Sequence, residues 1–232
     1  MMKKLATLLA VAAFMAITAG QALADFTDFD LVRVVYDSTG KEVIDNLGDI
    51  RTLTPGAAVP AINLSDFGTG KTYANLSQAY FAVDTNGSNV WASGGATAPT
   101  SNLGGFTSFA TAALNMTTAA GSHLVINAAD SGSYFTNLDQ GGNNTGTGAT
   151  LFGINVMDAS LAALATGGSV TQKLYFFSNP DNVQTGVAQF SLTTNSTGTT
   201  VADATPTPIP PSFLLMGSGL LGMVGIRRKF NA

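Results

Sequence analysis

The segment Val187-Ala-Gln-Phe-Ser-Leu-Thr193 decides the fold class, because apolar and polar residues alternate from its second position onward. Ala188, Phe190 and Leu192 would lie on one side of an extended chain, and the polar residues between them on the other side. A period of two predicts a β-strand with one buried face and one solvated face. Such a strand is typical of an antiparallel sheet.

Short runs rich in Val, Ile and aromatic residues lie on both sides of this segment and predict further strands. The dipeptide Asn86-Gly87 is the strongest hairpin signal, and it pairs residues 80–84 with residues 89–92. That pairing places Trp91, the only tryptophan, in or beside the core. The other predicted strands are at 29–36, 42–47, 60–64, the end of 72–83, 123–127, 151–156 and 173–177.

Together these segments predict an all-β domain, mainly an antiparallel sandwich or a jelly-roll-like fold, with one or two short helices. The best helix in the domain is predicted at residues 159–166, where Asp158 is placed to cap the start and Gly167-Gly168 to end it. Residues 107–120 are ambiguous, because their apolar spacing is nearly helical while their threonines favour a strand. A signal helix and a transmembrane helix are expected at the two ends of the chain.

The composition excludes several classes of function. There is no cysteine, which removes thiol catalysis, Cys-ligated zinc, iron–sulfur clusters and disulfides. Only five of the ten basic residues, but all 14 acidic ones, lie between residues 25 and 209, so that region carries a net charge of about −9. Because phosphate backbones would be repelled, nucleic acid is not an expected partner.

Residues 1–24 have the three parts of a secretory signal peptide. Lys3 and Lys4 form a positive start, residues 5–18 form an apolar run, and a small-x-small cleavage site follows. An uncleaved membrane anchor is the alternative, but the apolar run is short for a span. We therefore expect export through the Sec machinery and cleavage by signal peptidase. The predicted cleavage site comprises Ala22, Ala24 and Asp25.

The C-terminal stretch also has three parts. Residues 206–211 are proline-rich, residues 213–226 are mostly apolar, and a basic triplet follows. If helical, residues 213–226 would extend about 21 Å at 1.5 Å per residue, which is short for a membrane span. The triplet Arg227, Arg228 and Lys229 would hold the C-terminus in the cytoplasm by the positive-inside rule. The predicted organisation is a signal peptide at 1–24, an extracellular β-rich domain at 25–194, a Pro/Thr linker at 195–211 and a C-terminal segment at 206–230.

This C-terminal segment resembles the PEP-CTERM sorting domain of exopolysaccharide-producing Gram-negative bacteria. The resemblance covers about a tenth of the chain: Pro208-Ile209-Pro210-Pro211, the glycine-rich apolar segment and the basic triplet. Position 209 is Ile, where the motif that names the family has Glu. The resemblance implies recognition by an exosortase, which is a membrane cysteine peptidase, and cleavage near the prolines. It further implies release to the outer surface or the polysaccharide matrix, with exopolysaccharide as a further partner.

Three patterns in the domain fall short of a catalytic or metal site. Gly68-Thr-Gly-Lys-Thr72 ends like a phosphate-binding loop, but the required earlier glycine is Ser65. His123 is the only histidine, and no Gly-x-Ser-x-Gly motif is present. Two groups of oxygen ligands lack the spacing of a calcium loop. Catalytic, cofactor-binding and metal residues are therefore predicted to be absent. The two groups are Asp25, Asp28 and Asp30 near the mature start, and residues 139–144.

The sequence leaves three functions open. The leading one is a non-enzymatic surface or matrix protein, delivered by the signal and sorted by the tail. The second is a carbohydrate-binding module that stacks sugars on exposed aromatic side chains. The third is a glycan-active enzyme, which would need two carboxylates roughly 5–9.5 Å apart in a cleft. The aromatic candidates for stacking are Tyr36, Tyr73, Tyr80, Trp91 and Tyr175.

Overall fold

The computed structural model describes ten β-strands and a few short helical turns. Residues 29–37, 40–84, 89–100, 109, 112–113, 116, 123–130, 132–139, 157–178 and 185–204 are described. The strands are β1 Asp30–Tyr36, β2 Lys41–Asp49, β3 Ala58–Val59, β4 Ser77–Val83, β5 Asn89–Gly94, β6 His123–Asn127, β7 Ala159–Ser160, β8 Val170–Ser178, β9 Val187–Asn195 and β10 Gly198–Asp203. The turns of 3-10 helix are Ile50–Thr52, Leu64–Phe67, Tyr73–Asn75 and Ala162–Thr166, and Phe135–Asp139 is a π-helical turn.

All ten described strands join one antiparallel sheet. Its order is β3-β10-β9-β8-β5-β4-β1-β2-β6, with β7 paired to β4 off this path. Each pairing between neighbouring strands is antiparallel. The prediction of an all-β, mainly antiparallel domain is therefore confirmed.

The sheet curls into a half-barrel. Leu31 of β1, Val59 of β3 and Val201 of β10 belong to one buried cluster. Five strands separate β1 from β3 along the sheet, so their side chains meet only because the sheet bends round on itself. A second buried cluster, which includes Val35 and Val43, continues the same face toward the turns near residues 62–76 and 161–164. This inner face is called the concave face below.

The opposite face of the sheet is covered by residues that lie between positions 109 and 157 of the chain. Phe81 of β4 packs edge-on against Phe109 and stacks on Tyr134, with ring centroids 6.2 Å apart in both pairs. Phe109, Ala113 and Met116 are buried in this cluster and have helical backbone conformations. Segment 107–120 was ambiguous between helix and strand, and its described residues are helical. The central strands are thus buried on both faces.

The strand that decided the fold class is present, with one irregularity. Phe190 and Leu192 face the concave cluster, as the alternation predicts. Ala188 packs instead against the opposite cluster, because a β-bulge shifts the β8–β9 register between Leu174 and Tyr175. The hairpin of β4 and β5 is also confirmed: Phe81 pairs with Ala92, and the side chain of Trp91 is buried.

Two boundaries differ from the sequence prediction. The strand predicted at 60–64 is wrong: residues 60–63 form no strand, and a 3-10 turn begins at Leu64. The two-residue β3, Ala58–Val59, ends just before Pro60, which has no N–H to donate. The segment 195–211 was predicted to be a linker, but β10 occupies residues 198–203 and pairs with β9 and β3. Thr199 and Val201 are buried while Thr200 is exposed, so burial alternates along this strand. The sequence does not show the alternation, because threonine occupies both buried and exposed positions.

The predicted helix at 159–166 is only partly correct. Residues 159–160 form β7 against β4, and a 3-10 turn spans Ala162–Thr166 without a side-chain cap. Asp158 accepts a hydrogen bond from the Tyr134 hydroxyl at 2.6 Å instead of capping the turn. Gly167 does end the turn in the left-handed conformation, with φ of 78°, as its position predicted.

The predicted targeting segments lie outside the described residues. These are the signal peptide at 1–24 with its cleavage site, the sorting motif at 208–211, the membrane helix at 213–226 and the basic stop at 227–229. Within the described part of the chain, no helix has the length and apolar character needed to cross a bilayer. The strand predicted at 151–156 and the turn at Asn86-Gly87 also lie outside it.

Candidate functional site

A cleft of about 470 Å³ lies where the two ends of the curled sheet approach each other. Strands β1, β2 and β6 form one side. The other side is β3 and the residues that follow it, 60–63. We call this the seam cleft. Its wall is mostly apolar and includes Val35, Val43, Leu47, Val59 and Ile62.

A buried arginine crosses the seam beneath this cleft. The Nε and Nη2 atoms of Arg33 donate to Oδ2 of Asp45 at 2.9 and 2.7 Å, and Nη1 donates to the carbonyl oxygen of Pro60 at 2.7 Å. The side chains of Arg33 and Asp45 are 3% and 11% exposed. The strand register places Arg33 and Asp45 directly opposite each other on β1 and β2, so the two side chains can pair across the strands. The bond to Pro60 ties the two sides of the seam together.

His123 stands at the rim of the seam cleft, between two carboxylates. Its Nδ1 atom lies 2.6 Å from Oδ1 of Asp45, and its Nε2 atom lies 3.4 Å from Oδ2 of Asp66. The imidazole side chain is 48% exposed, so it lines the cleft and also meets solvent. The strand start predicted at residue 123 is confirmed, since His123 is the first residue of β6.

Asp45 and Asp66 lie near each other, as a pair of glycan-cleaving carboxylates must. The two nitrogens of one imidazole ring lie 2.6 Å from Oδ1 of Asp45 and 3.4 Å from Oδ2 of Asp66. Both oxygens of Asp45, however, are engaged by Arg33 and His123. Asp66 does not line the cleft. The arrangement is a buried Arg33–Asp45 ion pair with a half-exposed histidine beside it, at the rim of the cleft.

The aromatic residues do not form an exposed row. Tyr36, Tyr80, Trp91 and Tyr175 are at most 7% exposed. Trp91 donates from its indole nitrogen to Gln189 at 2.8 Å, and the hydroxyl of Tyr175 donates to the carbonyl of Gly95 at 2.7 Å. Burial raises the pKa of the Tyr175 hydroxyl. Only Tyr73 of the five candidates is partly exposed, so the stacking platform required by the carbohydrate-binding hypothesis is missing from the described residues.

The glycine-rich segment 68–72 forms a turn, as expected, rather than a phosphate-binding loop. Gly68 and Gly70 have φ of 101° and 79°, and 3-10 turns lie on both sides. Lys71 forms an ion pair with the buried carboxylate of Asp37. The lysine therefore fastens this turn to the end of β1.

Most of the oxygen ligands considered for calcium lie outside the described residues: Asp25, Asp28 and residues 140–144. Asp30 is described and accepts a hydrogen bond from Asn46 at 2.8 Å. No cluster of three or more potential metal ligands occurs among the described residues. Comparison of the chain with protein-family models, curated proteins and solved structures finds no match.

Sequence reasoning missed the network of Arg33, Asp45, His123 and Asp66. Its members come from four separate segments, and no spacing rule joins them. One signal was present in the sequence. Arg33 interrupts the apolar run Leu-Val-Arg-Val-Val of β1, and an arginine in a strand buried on both faces needs an acidic partner.

Proposed function

We propose that this chain is an exported protein of the cell surface or extracellular matrix. The signal peptide delivers it across the inner membrane, residues 213–226 hold it there, and an exosortase then releases it. The observation that carries the proposal is the order of the three C-terminal parts behind a cleavable signal. An acidic, cysteine-free β-domain between the two targeting segments is consistent with that delivery.

Binding, without catalysis, is the role that we propose for the mature domain. The support is the seam cleft and the commitment of its charged residues to one another. Carbohydrate binding is the second candidate, and it now rests on this cleft instead of an aromatic row. A glycan-active enzyme is the weaker alternative for the reason given above. The assignment to a sandwich or jelly-roll is more specific than a curled antiparallel sheet, and it stays a prediction.

Mass spectrometry of the secreted protein tests the sorting proposal. In cells that contain an exosortase, we expect a mature protein that begins at Asp25 and lacks the residues after the proline motif. Replacing Pro208 and Pro210 by Ala should leave the uncut precursor in the membrane fraction. Pro206→Ala, just outside the motif, is the matched control and should be processed normally. A secreted wild-type protein that retains Ala232 would contradict the proposal.

A further inference from the structure

The seam cleft is lined by apolar side chains and a few polar ones. Val35, Val43, Val59 and Ile62 contribute the apolar wall. His123, Asn63 and Asp45 line the same space, and the imidazole of His123 is half-exposed. The amide oxygen of Asn63 accepts from Ser65 and one of its N–H groups donates to Asp66, so its second N–H group is left for a ligand. A volume of about 470 Å³ lies within the range of roughly 300–1,000 Å³ typical of small-molecule sites.

The charges in the cleft favour a neutral ligand. Arg33 is neutralised by Asp45, and its three donating nitrogens already have acceptors. Arg33 is the only arginine or lysine among the described residues that line the cleft, so an anionic ligand would find no unpaired one there and would approach the carboxylate of Asp45 inside an acidic domain. Transfer of an isolated charge into this partly buried space would be costly without a partner.

Hydrogen-bonding capacity remains for a ligand with hydroxyl groups. The Oδ1 atom of Asp45 accepts one hydrogen bond, from His123, and a carboxylate oxygen has room for a second. Residues 60, 61 and 63 are exposed and line the opposite lip of the cleft. A ring with an apolar face of C–H groups and an edge of hydroxyls matches both parts of this surface.

We propose that the seam cleft binds a neutral pyranose unit of a saccharide, with its C–H face on the apolar wall and its hydroxyls toward the Oδ1 atom of Asp45 and the amide nitrogen of Asn63. The inference rests on the proposed extracellular location, where such saccharides are accessible. It differs from the aromatic-platform hypothesis because it places the sugar at the seam and requires no exposed tryptophan or tyrosine.

The test is a binding titration with the full chain in a detergent that has no sugar headgroup. The probes are neutral tetrasaccharides of glucose, mannose and galactose, tetragalacturonic acid as the anionic analogue, and hexane-1,6-diol as an apolar diol. We expect at least one neutral tetrasaccharide to bind at least about tenfold more tightly than the uronate and the diol. If no neutral tetrasaccharide binds, or if the uronate or the diol binds as tightly, the proposal is wrong.

A pair of exposed alanines supplies the matched variants. Ala61 lines the seam cleft, whereas Ala74 is exposed in the turn Tyr73–Asn75 and does not line it. Ala61→Trp should fill the cleft and weaken saccharide binding by at least about tenfold, while Ala74→Trp should change it by less than about twofold. Equal effects of the two variants would overturn the proposal even if the protein binds saccharide elsewhere. The mass-spectrometric result on processing is independent of both variants, so failure of sorting and failure of this site are separable.

Discussion

Two arginine–aspartate pairs of this protein differ in geometry and in burial. The pair with more hydrogen bonds is the exposed one, and the pair with fewer is buried. Arg51 makes the fuller contact: its Nε and Nη2 atoms reach both oxygens of Asp49, at 2.6–3.1 Å. Arg33 reaches only one oxygen of Asp45. The side chains of the exposed pair, however, are 56% and 30% accessible, against 3% and 11% for the buried pair. Burial, and not the number of contacts, decides how much stability depends on each pair.

The largest expected effect is that of removing the buried arginine. Arg33→Met leaves the largely buried Asp45 without its main partner, and it also removes the bond to Pro60 across the seam. We expect the free energy of unfolding to fall by about 3–5 kcal/mol. Arg51→Met is the matched control. The Arg51–Asp49 pair is exposed and contributes little, and the contact of Arg51 with the Phe29 ring, at 3.9 Å, adds a small term. We therefore expect a total loss of about 1 kcal/mol or less. Urea unfolding of both variants measures the difference.

A second change distinguishes an unpaired charge from lost packing. Adding Asp45→Leu to Arg33→Met removes the orphaned carboxylate, so the double variant should recover part of the lost stability. If the double variant is less stable than Arg33→Met alone, the residual carboxylate is not the cause of the loss. Equal losses for Arg33→Met and Arg51→Met would remove the distinction between the two regions.

An intermediate effect is expected where the concave face buries neutral polar groups. The Oγ1 atom of Thr194 bonds to Gln78 at 3.0 Å, to Thr199 at 2.8 Å and to the Tyr80 hydroxyl at 3.2 Å. Thr194→Val leaves these groups short of a partner and should cost about 1–3 kcal/mol in urea unfolding. Thr193→Val, one residue away on the opposite face, removes only an exposed bond to Thr171 and should cost less than about 0.5 kcal/mol. A similar loss for both threonines would show that burial is not the deciding factor.

The difference between these regions also explains how far the sequence alone could predict the structure. Local alternation gave Phe190 and Leu192 their correct face, and Asn86-Gly87 gave the β4–β5 pairing, because both depend on neighbouring residues. The side of the sheet on which Ala188 lies depends on a bulge in the β8–β9 pairing. The formation of β10 depends on its pairing with β9 and β3. The seam cleft depends on the curl that brings β3 to β1 and β2. Such long-range contacts leave no period in the sequence.

The smallest expected effect concerns the pH dependence of the exposed pair. The hydrogen bond from Arg51 holds the pKa of Asp49 below its ordinary value of 3.8. A carboxyl group whose pKa is lowered on folding contributes stability above its unfolded pKa and loses that contribution as the pH falls through its folded pKa. Arg51→Gln should therefore raise the pKa of Asp49 in an NMR titration of its carboxyl carbon. The stability difference between wild type and variant should shrink below about pH 4, by well under 1 kcal/mol because the pair is exposed.

The contact between Arg51 and the Phe29 ring provides the internal reference for that measurement. Arg51 stays charged throughout this range. Losing its contact with the Phe29 ring therefore lowers the free energy of unfolding of the variant by the same amount at every pH. Only the change with pH reports the pair with Asp49. Lys41→Gln, at an exposed position of β2, controls for the removal of one positive charge and should leave the pKa of Asp49 nearly unchanged. If Lys41→Gln raises that pKa as much as Arg51→Gln does, the general charge of the domain, and not the specific hydrogen bond, sets the titration of Asp49.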